Sequence, residues 1–378
     1  MKIAIVLGTR PEIIKMSPVI GQCVARNLEH FVIHTGQHYS YSMDRVFFEQ
    51  LKLRDPKYNL EVGSGTHAEQ TGRMLIGIGG ILKEEQPDVV LVEGDTNSAL
   101  AGALAASKLW MKVGHVEAGL RSFDRSMPEE TNRVLADHLS DYLFAPTEVS
   151  RKNLLTEGVN GQIFVTGNTI VDAVEQNLRL AKMTDVRSRF DIRDDDYFVL
   201  TLHRPENVDN PERLRKIVHA LGLVGWKFGK TIIFPVHPRT RSRLEQSGIA
   251  QQSFRIRMVE PLDYLAFLKL ESEAELILTD SGGAQEEACI LGVPCVTLRD
   301  NTERPETVQA GANILAGAEP TSILEKVTMM ISKKRRWANP LGDGKASERI
   351  VEIINLGDGK ASERIAEFIN LRSSYSTT

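Results

Sequence analysis

Short, nearly continuous apolar runs recur along the chain, each closing on small or polar residues. KIAIVLG (2–8), HFVIHTG (30–36), DVVLVEG (88–94), KVGHVEAG (112–119) and DYLFAPT (141–147) have the length and composition of buried strands. Helix-like stretches such as NSALAGALAASKL lie between them. Runs apolar on both faces and separated by helices predict parallel strands covered on both sides. A helical period over TIVDAVEQNLRLA (169–181) and a charged, poorly periodic stretch (187–198) interrupt the series. It restarts with YFVLTLH (197–203), KTIIFPVH (230–237), FRIRMVE (254–260), AELILTD (274–280), VPCVTL (293–298) and ANILAG (312–317). The reading is an α/β protein of two domains, 1–167 and 168–340, facing each other across a central cleft, with a helical tail over 341–378. In open parallel sheets ligands bind beyond the carboxyl ends of the strands, so the residues just after each run are the candidates.

The tail carries a tandem repeat. LGDGKASERIVEIIN (341–355) is followed directly by LGDGKASERIAEFIN (356–370), with Val351 aligned to Ala366 and Ile353 to Phe368. Two units are too few for a solenoid, so a local duplication is expected, with one copy packed and the other peripheral.

Composition narrows the function classes. A formal net charge of -4 spread over 378 residues offers no electrostatic reason to bind nucleic acid or an anionic membrane. The first apolar run is too short for a signal peptide, and no stretch has the length of a membrane span. Cys23, Cys289 and Cys295 are few and far apart, which predicts neither disulfides nor a metal cluster and fits a cytoplasmic enzyme.

The chemistry gathers at the strand ends. In TDSGGAQEEA (279–288), Ser281, Gly282 and Gly283 turn from a strand into a helix. Such a turn lets the backbone approach phosphate oxygens, and Glu287 further along the helix could accept both hydroxyls of a ribose. The plainer alternative is a tight turn with Ser281 as N-cap and glutamates favoured by the helix dipole. After the first strand, Arg10 and Lys15 could meet phosphate or sugar oxygens. Asp95, Glu117 and Glu130 end strands or open a helix, with His115 and Arg121 close in sequence. Taken singly, Asp95 could merely cap the helix beginning near Asn97, and Glu130 suits a helix N-terminus. Grouped carboxylates raise one another's pKa and can divide acid and base duties. In the second domain His203 and His237 follow strands. HExxH and GxSxG are both absent, which sets aside zinc hydrolysis and acyl transfer at a serine elbow.

Taken together, the segments resemble the non-hydrolysing UDP-N-acetylglucosamine 2-epimerases over nearly the whole chain. The likeness rests on GTRPEIIKMSP (8–18), TGQH (35–38), GDTNS (94–98), GHVEAGLRS (114–122), PEETNR (128–133), TGNTIVDA (166–173), TLHRPEN (201–207), PVHPRT (235–240), TDSGGAQEEA (279–288), TERPETV (302–308) and NPLGDGKAS (339–347). It implies two Rossmann-like domains resembling the glycosyltransferase-B fold, with a C-terminal helix returning to the first domain. The implied reaction interconverts UDP-N-acetylglucosamine and UDP-N-acetylmannosamine by elimination and re-addition of UDP through 2-acetamidoglucal, without a cofactor or metal. Asp95, Glu117, Glu130 and His203 are the implied catalytic residues. Arg10, Lys15, His203, His237, Ser281, Gly282, Gly283 and Glu287 would hold the substrate, and a homodimer is implied.

Three features depart from the common pattern. Glu93 stands before Gly94 where many relatives carry histidine or another neutral side chain, adding a carboxylate beside Asp95. Tyr39-Ser40-Tyr41-Ser42-Met43-Asp44 replaces the REMLDQ with which bacterial relatives bind a second, activating substrate, and is similar to archaeal-type members. The tail repeat is the third. A hydrolysing epimerase, an epimerase of a UDP-diacetamido-uronic acid, a UDP-sugar glycosyltransferase and a nucleotide-sugar sensor are the competing readings.

Overall fold

The computed structural model describes residues 1–36, 41–190, 192, 197–248, 255–333 and 335–357. The chain divides into two compact units. Of the described residues, the first comprises Met1–Gly119, Phe123–Ala173 and the tail from Gly342 to Gly357; the second comprises Leu120–Ser122 and Val174–Leu341. The division falls inside the helix Thr169–Ala181 rather than in a loop before it.

Among the described residues the first unit holds seven strands: β1 (Lys2–Leu7), β2 (Glu29–His34), β3 (Tyr58–Asn59), β4 (Val89–Glu93), β5 (Lys112–Val116), β6 (Tyr142–Ala145) and β7 (Gln162–Val165). Their order is β3-β2-β1-β4-β5-β6-β7, and every pairing is parallel. The second unit repeats the plan with β8 (Tyr197–Thr201), β9 (Thr231–Pro235), β10 (Ile256–Val259), β11 (Leu276–Thr279), β12 (Cys295–Thr297) and β13 (Asn313–Leu315), ordered β10-β9-β8-β11-β12-β13. Both sheets therefore reverse direction of growth at one place, between β1 and β4 and between β8 and β11. A crevice opens at the carboxyl ends of such a pair of strands, because the two flanking helices leave on opposite faces.

Strand interiors are dry for the reason the apolar runs suggested. Ile3 to Leu7 and Val90 to Val92 are fully buried, as are Phe198, Val199, Ile232, Ile233 and Leu276 to Leu278. Each such side chain contributes about 1.5–3 kcal/mol when fully removed from water. The alanine-rich helix Asn97–Lys108 lies against this surface. A Cβ at Gly102 would sit 2.9 Å from Val92 Cγ1, so glycine there permits the close approach. Strands β3 and β7 had no counterpart among the apolar runs. β3 is two residues long, and β7 buries only Phe164.

The first copy of the tail repeat forms the helix Ala346–Leu356 within the first unit. Its own N-cap, Lys345, offers no side-chain acceptor, and Asp172 takes that role from another helix. The Asp172 carboxylate accepts from Ala346 N at 3.2 Å, Ser347 N at 2.9 Å and Ser347 Oγ at 2.6 Å. Arg349 donates to Thr166 O at 2.9 Å and forks onto Asp343 at 2.7 and 2.8 Å. Ile350, Val351, Ile353 and Ile354 are buried against the first unit, where the helix packs on Arg10–Ala25. The second copy lies outside the described residues from position 358. A chain ending at residue 357 is expected to keep its melting temperature within about 2 °C, whereas one ending at 340 should melt about 10 °C or more lower. A large loss on cutting at 357 would show that the second copy carries the docking.

Cys23, Cys289 and Cys295 are all buried. Burial pushes the Cys23 and Cys289 thiols up to about 12 and raises Cys295 as well. Among the described residues no cluster of histidine, cysteine and acidic side chains has metal-ligand geometry, and no helix is long and apolar enough to cross a membrane.

Candidate active site

In the first unit the turns after β1 and β4 are tied together by Glu12, which sequence reasoning had not singled out. Its Oε2 accepts from Gly8 N at 2.9 Å and Thr9 Oγ1 at 2.8 Å, and its Oε1 from Thr96 Oγ1 at 2.7 Å. Burial outweighs these bonds and pushes the Glu12 carboxyl up to about 7. Gly8 permits the arrangement, since a Cβ there would overlap Thr35 Oγ1 at 1.9 Å. Pro11 occupies the first turn of the helix Arg10–Ala25, as its fixed φ favours.

Two carboxyl clusters stand at the carboxyl ends of β4 and β5, adjacent strands whose register pairs Glu93 with Val116. In one, buried Lys15 is ion-paired with Glu117 and lies 3.5 Å from Glu93 Oε1. The structure thus gives Lys15, expected at phosphate, two carboxylate partners. Burial raises Glu93 well above the usual carboxylate range; Lys15 opposes this, while Glu117 and Glu12 add to it. Burial thus disfavours charge on Glu93, and the extra carboxylate stands beside Lys15 and Glu117. Glu117 has φ +70°, a left-handed backbone that costs a non-glycine residue about 1–3 kcal/mol and that recurs at functional positions.

In the other cluster Arg133 bridges two acids, donating to Asp95 Oδ2 and, at 2.6 Å, to Glu130 Oε2. Phe123 N donates to Glu130 Oε1 at 2.9 Å, and Asn132 Nδ2 to Asp95 O at 2.9 Å. Arg133 sits one helical turn after Glu130 in PEETNR, the spacing that brings side chains together, and that was the signal available for it. Asp95 is not the cap of the helix Asn97–Lys108. Thr96 is, accepting from Ala99 N at 3.1 Å, because a cap must stand directly before the first helical residue.

His115 lies beneath these clusters. Its Nδ1 is 2.7 Å from Asp137 Oδ1 and its Nε2 is 2.8 Å from Gly94 O, so the ring braces the turn that presents Asp95. Arg121 groups with the second unit. Arg10 lies 3.6 Å from Asp44 Oδ1 with its guanidinium over the Phe47 ring at 5.2 Å. Tyr39 and Ser40, before that acid, are outside the described residues.

In the second unit Asp280 organises the candidate phosphate turn, another role sequence reasoning missed. Fully buried at the end of β11, it accepts from His203 N at 3.0 Å, Arg204 N at 2.9 Å and Asn207 Nδ2 at 3.1 Å. His203 Nδ1 lies 3.1 Å from its Oδ1. Burial opposes its charge, yet His203 and these donors hold its carboxyl below the ordinary value. The HRPEN loop after β8 is thereby locked to the SGG turn after β11. Ser281 caps the helix Gly282–Leu291, as the plainer reading of this stretch had it, accepting from Ala284 N at 3.5 Å. A Cβ at Gly282 would come 2.6 Å from Glu303 Oε1, whereas at Gly283 the nearest atom is Ser281 Oγ at 3.8 Å. The turn is thus packed behind Gly282 and open at Gly283, with first-turn amides that have no intrahelical acceptor. Glu287 is buried on the same helix. His237 caps the helix Pro238–Gln246, its Nδ1 accepting from Arg239 N at 3.3 Å.

The family model described as UDP-N-acetylglucosamine 2-epimerase matches residues 22–355. The UDP-N-acetylglucosamine 2-epimerase of Methanocaldococcus jannaschii is 59% identical over 361 residues, covering 94% of this chain and 99% of that one. The chain belongs to the UDP-N-acetylglucosamine 2-epimerase family. A crystal structure of the M. jannaschii UDP-GlcNAc 2-epimerase in complex with UDP-GlcNAc and UDP superimposes with a TM-score of 0.90, covering 94% of this chain and all of that one. That likeness places this epimerase among archaeal-type members, as segment 39–44 suggested. A spinosyn rhamnosyltransferase, 14% identical with a TM-score of 0.50, shares the fold alone. The two Rossmann-like units of the epimerase are thus of glycosyltransferase-B type.

Proposed function

We propose that the protein interconverts UDP-N-acetylglucosamine and UDP-N-acetylmannosamine, supplying glycan precursors in the cytoplasm. The reading is carried by the two carboxyl clusters at the ends of β4 and β5, in which Lys15 pairs with Glu117 beside Glu93 and Arg133 bridges Asp95 and Glu130. A C2 proton is weakly acidic, and its removal becomes feasible when the C1–O bond breaks in concert and UDP leaves with the electron pair. The product, 2-acetamidoglucal, is turned back when a UDP oxygen re-adds at C1 and a proton arrives at C2 from the opposite face. The sequence of steps is redox-neutral, so it balances without an oxidant or reductant.

Asp95, Glu117 and Glu130 are assigned to proton transfer and stabilisation of the intermediate. Lys15 sets positive charge beside Glu117, and Arg133 beside Asp95 and Glu130. Ser281, Gly282 and Gly283 receive the diphosphate, His203 adds positive charge toward it, and Glu287 accepts the ribose hydroxyls. Arg10, Lys15 and His237 complete the substrate contacts.

Proton NMR of the purified protein with UDP-N-acetylglucosamine in deuterium oxide tests the whole reading. Two UDP-sugars at equilibrium, both deuterated at C2, are expected. Free N-acetylmannosamine with UDP would mark a hydrolysing enzyme, and an unchanged spectrum a binder or transferase. We also propose a homodimer, which light scattering measures directly.

A further inference from the structure

The helix Tyr264–Ser272 packs on the helix Gly282–Leu291 within the second unit and places Glu271 beside Glu287. Glu271 is completely buried, and neither of its oxygens meets an N–H or O–H donor among the described residues. Tyr264, on the same helix, buries a hydroxyl that also lacks a partner. The contrast with Glu286, one position before Glu287, is direct: that carboxylate is equally buried but ion-paired with Arg304. An ionised carboxylate without donor or counter-ion would cost several kcal/mol in such a place, so the group stays neutral. Burial and the adjacent Glu287 both raise Glu271 well above the usual carboxylate range. A neutral carboxyl has one O–H to give, and a carboxylate accepts with two oxygens.

We propose that Glu271 is a positioning residue: its O–H donates to the Glu287 carboxylate, fixing that acceptor's orientation toward a vicinal diol. The inference deepens the assignment of Glu287 to the ribose and rests on it.

The test compares binding of UDP and 2′-deoxy-UDP by calorimetry in wild type, Glu271→Gln and Glu271→Met. Wild type should prefer UDP by about 10-fold or more, the worth of a hydrogen bond to a charged acceptor. Glu271→Gln keeps a neutral donor of the same length and should preserve that preference within about 3-fold. Glu271→Met fills the space without a donor, so the preference should fall toward equality while 2′-deoxy-UDP binding stays nearly constant. A role in packing alone would lower the melting temperature and leave the ratio intact, and a ratio unchanged in Glu271→Met overturns the inference. Equal binding of both nucleotides by wild type would instead remove the ribose assignment of Glu287, and the inference with it. Should Glu271→Met not fold, infrared difference spectra between wild type and Glu271→Gln at pH 7 decide. Loss of one protonated-carboxyl band is expected, and no difference refutes the neutral state.

Discussion

Asp95→Asn, Glu117→Gln and Glu130→Gln are each expected to lower epimerisation by about 10²–10⁴-fold while changing UDP affinity less than about 3-fold. The clusters that hold these acids belong to the first unit, whereas the candidate nucleotide contacts at Ser281–Gly283 belong to the second. A group that acts on C2 in the transition state costs rate when removed, not ground-state binding of the nucleotide. Arg133 makes the pattern sharper, because it serves Asp95 and Glu130 together. Replacing it by methionine should depress turnover about as much as removing either acid, and the double variants should fall short of additivity. Steady-state rates beside calorimetry with UDP measure both quantities. Parallel losses of rate and affinity would dismiss the proton-transfer roles.

Asp280→Asn should destabilise the protein by about 3–5 kcal/mol at pH 7, the cost of breaking a buried charged network from one side. An amide nitrogen in place of one oxygen would confront backbone N–H groups that now donate to it. Because the folded-state pKa of Asp280 lies below its ordinary 3.8, its stabilisation is complete above that value and is lost as pH falls through the lowered one. Glu12 works in the opposite sense. Raised from 4.5 to about 7, it favours the folded state fully below 4.5 and loses that contribution as pH rises through about 7, worth about 3 kcal/mol. Stability in urea should therefore peak in weakly acidic solution. The gap between wild type and Asp280→Asn should narrow below pH 3.8, and a gap constant across that range would rule out the charge as its source.

The apolar runs announced eleven of the strands, most of them buried on both faces, and burial on both faces erases polar alternation; β10, with Arg257 exposed, is an exception. The short or half-exposed β3 and β7 lack that signature. Strand ends likewise marked where the paired acids gather, since a strand's direction and the next helix define one rim of a parallel sheet. Partnership was another matter. Lys15 meets Glu117 across 102 positions, and Asp280 meets His203 across 77. No local pattern encodes such pairs, which exist only once strand order brings β1, β4 and β5, or β8 and β11, side by side. For the same reason the carboxylate partners of Lys15 went unread, and Asp280 read only as the end of a strand. Arg133 was within reach of local reasoning, through its spacing from Glu130.

The three sequestered sulfurs matter to anyone who wishes to watch the protein at work. With thiols raised to about 12, only about one in 10⁵ of Cys23 or Cys289 is thiolate at pH 7, and no face of either is open to a reagent. Maleimide dyes and spin labels will therefore pass over the native chain. A single cysteine introduced at an exposed position, such as Trp226 or Met183, becomes an address for a fluorophore without first stripping the protein of its own.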